Sequence, residues 1–446
     1  MVGNLAQVFK IPELTKRIFF TISLLAVYRL GIFVSTPGIN VQALRNMFDT
    51  RDGTLFGLIN LFSGGALENF SIFTLGIAPY ISVSIVIQLL TPTIPKLEAL
   101  KKEGDAGRRV ITRYTRIGTI ILALFQSYWI AKGIESQGLA LTPGPIFRLT
   151  TMITLTTGTA FIMWLGEQIT EKGIGNGTSI VIFSGIVARM PAVLFSTVAL
   201  ARTGDISPLG VFVLLFFSLA TIAGIVYVER SHRKIPVQYP RRMVGNQLAQ
   251  AQTQYLPLKV NMAGVIPPIF ASACLVLIAT IFSFSTSPFW QDIGANFLPG
   301  NAGYVGIFVT LIIIFSFFYT AVIFNPVEVA DNLKKNGGFI PTVRPGKQTS
   351  DFLYSVLNKL TVWGALYISI VCIVPQMFYL EMGASQFAHV FGGTAVLIVV
   401  GVTLDTASQI ESMIVARNYE AYMSKSSKGK TGVVSMGKPG KRLLRR

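Results

Sequence analysis

The sequence is poor in charge, in histidine and in cysteine. Of its 446 residues only 13% are charged, with 20 Asp and Glu, two His and two Cys. A soluble domain carries about 25% charged residues. With 51% hydrophobic residues and a mean hydropathy of +0.58, that deficit excludes a soluble globular domain. His232, His389, Cys274 and Cys372 form no cluster with metal-ligand spacing, so neither metal nor cofactor is expected. Both cysteines fall inside apolar runs, which argues against a disulfide framework. No Ser/His/Asp or Cys/His constellation is present, so no catalytic residues are expected. No Asp, Glu, His or Lys falls in the middle of an apolar run. An ion-coupled carrier places such groups at the membrane midplane.

The apolar residues come in runs of about 20, the length of a membrane-crossing helix. Ten crossings are expected near 18–34, 71–90, 115–134, 149–166, 178–200, 208–228, 262–284, 303–324, 360–379 and 390–410. The fold class is therefore all-α and polytopic. Lys16-Arg17 precedes the first run and no small-residue cleavage site follows it, so it reads as a retained span. The net charge of +18 is explained by topology. All Lys and Arg except Arg29, Arg45, Arg51, Lys132, Arg148, Arg189 and Arg202 fall on one side if the N-terminus is inside. Basic loops stay cytosolic, so both termini are expected there. Arg29, near the outer end of the first run, can snorkel. The inner loops 229–260 and 325–359 are longer than topology requires, which marks them as functional or disordered.

An odd number of crossings per half, 1–205 and 206–416, makes the second half enter from the opposite side. Inverted halves of this kind enclose a central pathway. Residues 417–446, rich in Gly, Ser and Lys, are expected to lack fixed structure. The "GKT" within them lacks the upstream glycine of a phosphate loop.

Residues 55–90 are too long for one crossing and too short for two. The run is interrupted by Ser63-Gly64-Gly65 and Glu68-Asn69. The polar groups left within the spans are neutral: Gln88, Asn261 and Thr178. Taken singly, each reads as a bond between neighbouring helices.

Six blocks carry a resemblance: "FSGGALENFSIFTLGIAPYISVSIVIQLL", "KKEGDAGRRVITRYTR", "TGTAFIMWLGEQITEKGIGNGTSI", "LPLKVNMAGVIPPIFAS", "FFYTAVIFNPVEVADNLKKNGGFIPTVRPGKQT" and "FGGTAVLIVV". In this order, and nearly end to end, they resemble the SecY family, the channel subunits of the bacterial protein translocase. The resemblance implies an hourglass pore between two five-helix halves, in the bacterial cytoplasmic membrane. Its waist would be a ring at Ile77, Ile81, Ile182, Ile269 and Ile398, with Thr178 replacing the usual isoleucine. Ile77 and Ile81 are four apart and share a helical face. An apolar constriction offers ions no substitute for their hydration shell.

Residues 55–70, with Phe62, Ser63, Gly64, Gly65, Glu68 and Asn69, would form a short re-entrant plug helix under the ring. The true span would begin at Ile72. Gln88 and Asn261 match polar positions at a lateral gate opening towards lipid. Arg344, Lys334 and Lys335 in one inner loop, and Arg241 and Arg242 in the other, would contact a motor or a ribosome. Gly245-Asn246-Gln247 stand where relatives commonly have Gly-Arg-Arg. The partners implied are SecE and SecG, the SecA ATPase, the ribosome, polypeptides bearing signal sequences, and the lipid bilayer. The competing reading, a ten-span carrier of a small solute, would need a polar midplane site where this chain has isoleucines.

Overall fold

The computed structural model describes residues 11–44, 64–204, 206–239, 243–244, 247–248, 253–283 and 302–430. Among them the order is α1 (Pro12–Ile32), α2 (Ala78–Leu90), α3 (Pro95–Lys102), α4 (Asp105–Ser136), α5 (Pro145–Lys172), α6 (Gly177–Thr203) and α7 (Pro208–Glu229). Four short strands follow: β1 (His232–Gln238), β2 (Met243–Val244), β3 (Gln247–Leu248) and β4 (Thr253–Lys259). The second half continues with α8 (Ile266–Ser283), α9 (Ala302–Ile323), α10 (Pro326–Lys335), α11 (Lys347–Glu381), α12 (Ser385–Phe391) and α13 (Gly393–Lys430). Seven of these helices start with proline at the first or second position. The missing N–H costs nothing there and the ring presets φ.

A helix stands at each of the ten expected crossings. Seven are long and apolar enough on their own to span a membrane, or eight if α2 and α3, bent by 96°, count as one. Every 18-residue stretch of α1 contains Lys16, Arg17 and Arg29, so it falls outside that set by charge. Asp205, the expected boundary between halves, lies outside the described residues.

Four boundaries differ from expectation. The second crossing starts at Ala78 and not at Ile72, leaving a helix of 13 residues. Gly64, Gly65, Phe70 and Gly76 all have positive φ (67°, 93°, 41° and 56°), so residues 64–77 run as turns. Neither a re-entrant helix nor the start of a span can propagate through such a backbone. Within the 229–260 loop, β1 and β4 form an antiparallel ribbon, paired from His232↔Lys259 to Gln238↔Thr253. α11 begins at Lys347, extending the ninth crossing into the 325–359 segment. α13 continues to Lys430, so residues 417–430 are helical where no structure was expected. Extending a helix adds one hydrogen bond per residue, whereas starting one fixes three residues for the first bond.

One buried apolar cluster runs through both halves. It holds Tyr28 and Ile32 of α1, Ile162 and Ile169 of α5, Ile182 and Ile186 of α6, and Ile398 of α13. Small residues set the helix spacing around it, as in membrane bundles generally. A Cβ on Gly177 would lie 1.9 Å from the Gly166 carbonyl oxygen, and one on Gly393 would lie 1.6 Å from that of Val371. α5 and α6, and α11 and α13, therefore touch backbone to backbone.

Candidate functional site

Ile77, Ile81, Ile182 and Ile398 all belong to the central cluster, at 3%, 8%, 2% and 1% exposure, and Ile269 packs against it. The sequence brings them there by three devices. The Ile81 N–H donates to the Ile77 carbonyl (3.1 Å), which stacks the two side chains one turn apart. Gly166 and Gly177 permit the tight α5–α6 crossing that positions Ile182. The bare backbone of Gly393 lets the start of α13 lie on α11, five residues before Ile398. Thr178 sits half-buried one turn before Ile182, where its N–H donates to the capping side chain of Asn176 (3.1 Å). The patch has no charge and no polar group suited to binding an ion.

Phe62 and Ser63 lie outside the described residues. From Gly64 onward the expected plug is bonded to the end of α1: Thr36 N–H donates to Phe70 O (2.8 Å), and Ile72 N–H to Val34 O (3.0 Å). Arg29 does not snorkel. It turns inward, donating to Gly64 O (3.2 Å) and to Ser184 O of α6. Glu68 forms an ion pair with Arg189 of α6, and Asn69 is half-buried. Sequence reasoning assigned Arg189 no role. The signal available was an arginine midway along an apolar run, next to a segment with a single acidic residue.

The helices of the expected gate, α2 and α8, do pack side by side, but Gln88 and Asn261 do not bond across them. Gln88 is exposed and donates to Ser84 Oγ (3.2 Å) on its own helix. Asn261 is 2% exposed and fully engaged within its own half. Its amide donates to Glu229 Oε1 (2.7 Å) and Gly264 O (3.1 Å), and accepts from Gly264 N–H (3.1 Å). Gly264 adopts φ +63°, so Asn261 braces the turn that leads into α8. Glu229, which the sequence did not single out, ties that turn to the end of α7.

The two long inner segments form one unit. β1 is zipped to the second segment by Gln238 N–H to Phe339 O (2.9 Å) and Phe339 N–H to Gln238 O (3.0 Å). Ile235, Val237 and Leu258 share a small core with Ile340, Leu353 and Leu357. Asn325 caps α10 by accepting from Val327 N–H (3.2 Å), and Lys334 and Lys335 are exposed in its last turn. Thr349 donates to the Arg344 carbonyl (2.9 Å), so the Arg344 backbone is anchored while its guanidinium is exposed. Arg241 and Arg242 lie outside the described residues. So do Gly245 and Asn246, while Gln247 falls in β3. In the neighbouring inner segment Lys102 pairs with Glu98 (2.7 Å) and holds that carboxyl below the usual range.

The family model described as SecY matches residues 71–407. The protein translocase subunit SecY of Escherichia coli K12 is 46% identical over 423 residues, covering 93% of this chain and 95% of that protein. The subunit of the same name from Aquifex aeolicus is 44% identical over 430 residues, covering 95% and 100%. Among solved structures, a protein-conducting channel superposes with a TM-score of 0.61 at 17% identity, over 89% of this chain and 91% of its own. Sec61 in a canine ribosome-channel complex gives 0.60 at 16% identity, with the same coverage. These structural likenesses extend the shared fold to distant relatives.

Proposed function

Because the chain belongs to the SecY family, we propose that it is a protein-conducting channel subunit that passes unfolded secretory polypeptides through the bacterial cytoplasmic membrane, with both termini cytosolic. The observation that carries this reading is the patch of five isoleucines, to which both halves contribute and whose side chains carry no charge. An aliphatic waist seals against ions yet grips no particular side chain. Residues 64–70, the described part of the plug, lie beside it. The seam between α2 and α8 is the lateral gate, through which apolar segments pass into lipid.

The chain supplies positioning and a seal, and the work comes from a partner. SecA or a translating ribosome would dock on the cytosolic unit through Arg344, Lys334, Lys335, Arg241 and Arg242. Exposed Lys and Arg suit the anionic surface of ribosomal RNA. SecE and SecG would complete the complex within the membrane. The test is reconstitution of the chain with SecE, SecG and SecA, followed by ATP-dependent import of a signal-bearing precursor. Import that needs both ATP and the signal is the expected result; uptake of a small solute with no import would favour a carrier.

A further inference from the structure

We propose that Arg29 and Arg189 are positioning residues that latch the plug to α6, so that release of the plug is coupled to separation of α1 from α6. This rests on the plug reading above. Arg29 projects from α1 and bridges two backbone carbonyls, one in the plug (Gly64) and one in α6 (Ser184). Arg189, also on α6, takes the plug's acidic side chain, Glu68.

The backbone geometry between these contacts is equally specific. A Cβ on Gly64 would lie 2.9 Å from Gly185 Cα and 3.4 Å from the Tyr28 hydroxyl, and Gly64 has φ +67°. Two glycines therefore let the plug backbone rest directly on α6 at the residue after Ser184. Ile182 of the waist is two residues before Ser184 on the same helix. A movement of α6 that widens the waist thus carries away Ser184, Gly185 and Arg189 together.

The energetics favour a latch over incidental contact. A guanidinium is never deprotonated and presents five donors. In a half-buried place its charge needs compensating acceptors. With the plug withdrawn, Arg29 loses the Gly64 carbonyl and Arg189 loses its counter-charge. Each loss biases the channel towards its closed state, and both are relieved when a translocating chain brings water into the opening.

The test uses the full complex in planar bilayers and reads resting ion conductance, with the yield of intact complex measured for every variant. Glu68→Arg and Arg189→Glu should each raise resting conductance about tenfold, equivalent to roughly 1.4 kcal/mol in the closed–open balance. The reciprocal pair Glu68→Arg/Arg189→Glu should return it to within about twofold of the parent. Arg29→Met should be as leaky as the single charge reversals, with Arg29→Lys between it and the parent. Tight single variants, or a reciprocal pair as leaky as the singles, would overturn the latch. Deleting residues 58–69 separates this from the plug reading. If the deletion leaks while the single variants stay tight, only the latch is wrong; if the deletion is tight as well, the plug assignment itself fails.

Discussion

The proposed waist and the proposed docking unit are both built on apolar cores, but their working surfaces are opposite. At the proposed waist the core itself would be the seal: Ile77, Ile182 and Ile398 are nearly inaccessible, and glycine contacts hold their helices in place. In the proposed docking unit the core of Ile235, Val237, Leu258 and Ile340 is only a mount, and the exposed side chains of Arg344, Lys334 and Lys335 are the proposed contacts. Substitution in the first region should therefore alter what leaks at rest. Substitution on the surface of the second should alter what is driven and leave the seal intact.

The strongest challenge to that division is at the waist. Ile81→Gly with Ile182→Gly removes two buried side chains, each worth about 2–5 kcal/mol even when truncated only to alanine. It also leaves a space that can hydrate. Resting conductance in planar bilayers should rise by at least about tenfold, while SecA-driven import continues. A double variant as tight as the parent would place the barrier in the plug, residues 55–70, alone. The complementary substitution is Arg344→Glu. ATP-dependent import into vesicles should fall about tenfold, a loss of roughly 1.4 kcal/mol, with resting conductance and complex yield unchanged. Import at the parent rate would remove Arg344 from the motor contact, and a new leak would show that the two regions are not separable.

How far the sequence discloses each region follows from the physics of each signal. The crossings are legible because a run of about 20 apolar residues has few other uses. The waist isoleucines are legible only through the family resemblance, since isoleucine in a membrane helix is otherwise unremarkable. The turns at residues 64–77 were half visible. Gly64 and Gly65 announce an interruption, but the positive φ of Phe70 depends on tertiary bonds from Thr36 and Val34 that no local pattern encodes. The joining of the two basic segments through Gln238 and Phe339 is hidden for the same reason, as their partners are about 100 residues apart. The inward turn of Arg29 was missed because snorkelling and inward capping begin from the same position near a helix end. Only the location of Gly64 and Ser184 decides between them.

The smallest expected effects are at the gate, where the sequence suggested an amide pair and the structure separates the two. Asn261→Leu strips the half-buried Glu229 carboxylate of a donor and deprives Gly264 N–H and C=O of their Asn261 partners. Buried groups left unsatisfied cost about 1–3 kcal/mol each. The complex should lose thermal stability, and export should fall evenly across a graded series of signal sequences, because the root of α8 is loosened for every substrate. Selective failure of weakly apolar signals would instead restore a role for Asn261 across the seam. Gln88→Leu should change almost nothing. The side chain is exposed and bonded only to Ser84 on its own helix, so a change within about 0.5 kcal/mol is expected and the signal series should superimpose on that of the parent. If Gln88→Leu shifted the hydrophobicity threshold and Asn261→Leu did not, the seam would be governed by α2 alone. The bracing of α8 by Glu229 would then be a matter of stability and not of gating.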